Sequence, residues 1–160
     1  MPVILRKLLR IGGLPDEMRV DIEPEGVLFL AEYVPVMRQF SGKIPGRRSL
    51  GKVSSYVGSL ALTEQRVLAT LSTVPKLAGR TVDHRWDAPQ SGAVTAELSR
   101  SGLTLEVDIN AVDPRFSGTL AMHYKVDIPQ EVIDRLPRRS LAFNVSPEYV
   151  FRAVGVPYHP

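Results

Sequence analysis

The chain has 160 residues, carries no cysteine, and sets 20 Lys and Arg against 17 Asp and Glu, a formal charge of +3 at pH 7. That length suffices for one domain with its own core, and the missing cysteine excludes disulfides, thiol catalysis, iron–sulfur clusters and cysteine-rich zinc sites. The small charge excess gives no general argument for nucleic acid.

The opening run Met1 to Leu5 meets Arg6 and Lys7 after three apolar residues, too soon for a signal-peptide core, and no uncharged apolar run of about 18 residues follows. A cytoplasmic protein is expected, a single domain over 1–160. Residues 1–13 form a basic amphipathic segment, able to pack on the domain or to lie on a membrane surface, and Gly12-Gly13 ends it. Leu14 to Met18 offers a turn or one helical turn, and Pro24-Glu25-Gly26 is a second turn signal.

Val27 to Val34 reads as a strand that Pro35 interrupts, which predicts a bend, a bulge or an edge position before the strand resumes to Phe40. Ser41 to Lys52 holds three Gly, one Pro and four cations without a carboxylate, the composition of an exposed flexible loop. Val53–Thr63 and Arg66–Thr73 form a hairpin about Glu64-Gln65. Thr81 to Trp86 alternates, with Val82 and Trp86 on one face, and Asp87 to Gly92 is a loop. Val94–Leu98 and Leu103–Ile109 make a second hairpin with Leu103, Leu105, Val107 and Ile109 inward, and Thr119–Val126 a last long strand. A helix begins at Pro129 with Ile128, Val132 and Leu136 on its apolar face and stops at Pro137. Leu141–Val145 is a further strand. Ser146-Pro147 then starts a helix carrying Tyr149, Val150, Phe151 and Val154.

The segment Gly58-Ser-Leu60-Ala-Leu62-Thr63-Glu-Gln-Arg66-Val67-Leu68, with Leu14-Pro15-Asp16-Glu17 and Glu25-Gly26-Val27 before it, resembles the second and third strands and the lead-in of the pleckstrin-homology-like superfamily, in its bacterial and GRAM-type branches. The resemblance covers about residues 14–137. It implies a mostly β, α+β fold: a small antiparallel barrel or orthogonal sandwich of about seven strands, capped by the short helix Asp127–Leu136, with 138–160 as a strand-helix extension. It also implies a non-catalytic binding module. A protein partner or a second copy would meet a sheet edge or the extension, where Tyr149 and Phe151 are the partner-binding candidates.

A second reading is anionic lipid at the basic stretch 38–52, since the first inter-strand connection is a common lipid site in such domains. Arg38, Lys43, Arg47, Arg48 and Lys52 would carry it, each cation contributing about 1 kcal/mol near an anionic membrane. The protein would then sit peripherally at the inner membrane surface. A small-molecule carrier with a barrel cavity is a third possibility. His84, His123 and His159 lack paired metal spacing, and no nucleophile or phosphate-loop motif occurs. No catalytic residue, metal or cofactor is therefore expected, and no nucleic acid, since the basic stretch lacks interleaved aromatics. An enzyme would need His84 or His123 within reach of a carboxylate.

Overall fold

The computed structural model describes residues 13–74 and 77–155, with the side chains of all but residues 73, 74, 77 and 78. Apart from Gly13, the N-terminal amphipathic segment lies outside the described residues, as does His159. Eight antiparallel strands form one sheet from two meanders, the last strand returning to the outer side of the second. The first runs β1 (Val27–Ile44), β2 (Arg47–Thr63), β3 (Arg66–Val74) and β4 (Leu77–Arg85). The second holds β5 (Val94–Ser99), β6 (Gly102–Asp108), β7 (Ser117–Lys125) and β8 (Ser140–Phe143). The order β4-β3-β2-β1-β7-β6-β5-β8 makes β1–β7 the joint between them. The sheet curls into a nearly closed barrel whose seam lies between β4 and β8, where the His84 and Phe143 rings stand 5.2 Å apart. The short helices are α1 (Asp16–Ile22), α2 (Ile109–Val112), α3 (Gln130–Arg135) and α4 (Pro147–Val154).

The β2–β3 hairpin forms where its residues predict, with Leu62 opposite Val67. Thr63 closes the turn because its Oγ1 accepts from the Gln65 and Arg66 amides at 3.1 and 3.0 Å. Arg66 reaches Glu25 through Nε at 3.1 Å and Asp83 through Nη1 at 2.8 Å, and the Trp86 indole donates to the Thr63 carbonyl at 2.9 Å. One Thr and one Arg thus tie the hairpin to the chain before it and to β4.

Pro35 behaves as its chemistry requires. The β1–β2 register shifts between Ala31 and Val34, Tyr33 holds φ 58°, and pairing with β7 begins only at Val36, so the missing amide is never asked to join that ladder.

The stretch 41–52, expected as a flexible loop, is instead strand. β1 and β2 stay paired to Ile44 opposite Arg47, and Pro45-Gly46 alone makes the turn, with Gly46 at φ 88°. The glycines that suggest a loop serve the sheet. Gly42 faces Gly118 across β1–β7, and a Cβ on either would sit 2.0 Å from a backbone oxygen opposite. Gly51 is the extra residue of a bulge, between Lys52 opposite Phe40 and Leu50 opposite Ser41.

The tail after 137 completes the barrel. Ser140–Phe143 adds to the outer side of β5, and α4 buries Tyr149, Val150, Phe151, Ala153 and Val154 in the main core. Ser146 takes the N-cap position without a side-chain capping bond. In α3 the buried residue is Ile133 rather than Val132, which is only partly buried; Pro129 is the N-cap, and with just six residues the helix takes its phase from where Ile128 and Leu136 are anchored on either side.

Inward residues of the strands fill the barrel, among them Leu60, Leu62, Leu103, Val107, Leu120 and Tyr124, all at 0% exposure. The Tyr124 hydroxyl crosses the interior, donating to the Thr70 carbonyl at 2.9 Å and meeting Thr81 Oγ1 at 2.6 Å. Gly58 makes room for the ring: a Cβ there would lie 3.0 Å from Tyr124 Cε2 and 2.1 Å from the Thr70 oxygen. Outside the barrel, Leu14 and the Met18 and Ile22 of α1 lie on Ala61, Leu68 and Leu30, which buries Ala61 on the outer face of β2. Glu32 holds that helix, accepting from the Leu14 amide at 2.9 Å and pairing with Arg19.

Burial pushes the Tyr124 and Tyr149 phenols far above the ordinary value of 10.0. The folded chain keeps these protons while the unfolded chain releases them above pH 10. Stability is therefore intact below pH 10 and falls above it, by about 1.4 kcal/mol per pH unit for each phenol. Tyr124→Phe should cost about 1–3 kcal/mol at pH 7, through the unsatisfied Thr70 carbonyl, and should flatten the alkaline slope. Urea unfolding at pH 8 and above pH 10 measures both effects.

Candidate functional site

The paired stretch from Phe40 to Tyr56 forms a hairpin arm, and its chemistry follows from strand alternation. Val36, Arg38, Phe40 and Ile44 point to the barrel side and are buried, so Met37, Gln39, Ser41 and Lys43 point outward. Pairing carries the same alternation to β2. Lys43 and Arg48, directly opposite each other, lie on the outer face, while Arg47 beside Ile44 and Lys52 beside Phe40 lie on the barrel side. The five cations read together from the sequence are thus divided between two faces.

Arg38 differs from the other four, being 4% exposed. Its Nη1 donates to the Ala153 carbonyl at 2.7 Å, its Nη2 to Ser54 Oγ at 3.4 Å, and the guanidinium lies 4.7 Å from the centre of the Tyr56 ring. Ala153 sits in the last turn of α4, where a cation meets both an unpaired carbonyl and the negative end of the helix. Desolvation pulls the Arg38 pKa below the ordinary arginine value, and the nearby Arg47 adds to the shift. Its Nε is buried without a partner. Arg38 is engaged as a fastener between β1 and α4.

Lys52, Arg48 and Lys43 are exposed and Arg47 is half-buried. Two apolar side chains stand among them, Leu50 at 95% exposure and Val53 at 52%. From Val53 a row of outward residues runs across the sheet through Gln39, Ala121, Glu106, Thr95 and Ala142, each opposite the next. The next row holds Met37, His123, Thr104, Glu97 and Ser140. Together they line a shallow trough of about 810 Å³ on the outside of the barrel. Alternation in the sequence marks these residues as outward, but the curvature that gathers six strands into one concavity has no local signal.

Tyr149 and Phe151, the candidates for partner contact, are 8% and 4% exposed. The Tyr149 hydroxyl donates to the Thr81 carbonyl at 2.8 Å, and Phe151 meets Phe116 edge-on with centroids 5.6 Å apart. Both serve the docking of α4 on its own barrel. His84 Nε2 lies 3.0 Å from the Pro89 carbonyl and His123 Nε2 3.2 Å from that of Ser101, so in each ring Nε2 carries the proton. Asp83 is held by Arg66 and Arg80, and Asp87 by Arg85, whose hydrogen bonds draw its carboxyl below the ordinary range. Among the described residues no group of His, Asp or Glu is arranged to hold a metal ion, and no helix is long and apolar enough to cross a membrane.

Arg38→Ala should destabilise the chain by about 2–4 kcal/mol in urea unfolding, because it empties a buried volume and strands the Ala153 carbonyl. Arg48→Ala, at an exposed position, should stay within about 0.5 kcal/mol of the parent. Comparisons with protein-family models, with curated proteins and with solved structures return no match.

Proposed function

We propose that this chain is a non-catalytic binding module of pleckstrin-homology-like type, with the β1–β2 arm as its contact surface for a protein partner. The observation that carries the reading is the arm itself: Leu50 and Val53 are exposed on its outer face beside Lys43 and Arg48, Arg47 and Lys52 lie on its other face, and the sequence from Ser41 to Tyr56 contains no carboxylate to neutralise them. An apolar centre with a charged rim is the usual anatomy of a protein contact. The antiparallel meanders, with a helix at the seam, support the fold half of the reading. Packing of Tyr149 and Phe151 into the core moves the contact surface from the C-terminal extension to the arm.

Pairing of two arms would bring like charges together, so the partner is a different, acidic surface rather than a second copy. A carrier role finds no support in an interior occupied by Tyr124, Leu60 and Leu103. Anionic lipid is the second reading, favoured by one observation: an almost fully exposed leucine on the same face as Lys43 and Arg48 can enter a lipid surface.

A photo-crosslinking amino acid in place of Leu50, with one in place of the exposed Asn110 as control, tests the proposal in cells. Protein adducts at position 50 and none at 110 are expected. Adducts to anionic lipid at position 50 would transfer the function to a membrane surface, and no adduct at 50 would retire the arm.

A further inference from the structure

We infer that the arm binds its partner by strand addition: an extended segment alternating acidic and apolar residues pairs with the free edge of β2 between Arg47 and Tyr56. The inference rests on the arm being the contact surface and specifies what that surface takes.

β2 pairs with β1 along its whole length but with β3 only from Val57, opposite Ser72, to Leu62. Among the described residues no strand lies against the other side of residues 47–56. The two edges at the seam carry contacts within the chain. On β4 the Thr81 carbonyl is taken by the Tyr149 hydroxyl, and on β8 the Ala142 amide is taken by Gln90 Oε1 at 3.0 Å. β1 ahead of Val36 is bent by its bulge and ends in Pro35. An edge with unpaired N–H and C=O groups is a ready template for another strand, and natural edges are guarded against their own copies by Lys, Arg and bulges. The β2 edge has both devices. Gly51 makes the bulge, and the Lys52 amide there is satisfied by Ser49 Oγ at 3.2 Å, leaving the edge on either side for pairing.

Side-chain chemistry selects the occupant. A strand beside β2 presents alternate residues to its two faces. On the outer face they meet Arg48, Leu50 and Val53, the last of which begins the trough; on the other they meet Arg47 and Lys52. Apolar residues suit Leu50 and Val53 on the first face, and carboxylates suit the second.

The test uses the full chain and a synthetic eight-residue peptide alternating Glu and Val, with a Lys/Val peptide as control, read by fluorescence anisotropy. The Glu/Val peptide should bind, the Lys/Val peptide should not, and Arg47→Glu with Lys52→Glu should weaken binding by about tenfold or more. Two further Glu/Val peptides are N-methylated, one at its odd and one at its even residues. Strand addition requires that one of them lose binding while the other keeps it, because only one set of amides faces the ladder. If both keep it, the contact is electrostatic alone; strand addition is then overturned while the arm remains the contact surface. Failure of the unmethylated peptide to bind also overturns strand addition, whereas the reading beneath it falls only if position 50 gives no adduct.

Discussion

The Tyr124 hydroxyl is the point on which the barrel depends. β7 and β3 are separated in the sheet by β1 and β2, yet the phenol of one reaches the Thr70 carbonyl of the other through the interior, and Thr81 of β4 joins the same contact. A buried hydroxyl must find partners, and these lie only on the far wall, so satisfying it fixes how tightly the sheet curls. Gly58 is the matching concession on β2, since any side chain there would strike both the ring and the carbonyl it serves. Tyr149 repeats the device from α4 and brings the helix against the seam. Polar closure from inside takes the place of a hydrogen-bonded ladder between β4 and β8.

That economy explains the division of labour among the arginines. Arg66 binds the lead-in turn to β3 and β4, and Arg38 binds β1 to the end of α4, so both are consumed by the fold. The cations beyond Phe40 have no such employment. They lie where β1 and β2 outrun β3, on backbone that must be protected from chance pairing. Protection and the proposed recognition would need the same chemistry, because charge that repels a second copy attracts an acidic strand.

Most of the sheet was legible in the sequence, and the failures share a cause. Alternation placed Leu103, Leu105 and Val107 inward, and Leu62-Thr63-Glu-Gln-Arg66 located a hairpin whose turn is closed by Thr63, because both depend on neighbours a few residues apart. Gly42 and Gly51 misled because their roles are set across strands: one clears space for Gly118, the other is a bulge. Arg38 looked like its basic neighbours, and only the arrival of Ala153 makes it a buried fastener. Distance in sequence likewise separates Tyr149 and Phe151 from their destinations, Thr81 and Phe116, so their apolar character is a local signal and their docking is not.

The strand order also sets a timetable. Hairpin partners are close in sequence and β8 returns to β5 over about 45 positions, but the β1–β7 ladder joins residues about ninety positions apart, Val36 with Tyr124. Loop closure of that length is the costly entropic step, and ladders of high contact order form late. Until β7 arrives, β1 is itself an open edge through Val36–Lys43, and Tyr124 has not yet brought its phenol to Thr70. The joint between the meanders is thus where the folding barrier and the aggregation risk of the half-built sheet coincide, and Gly42 facing Gly118 is the place where a single added methyl group would raise both.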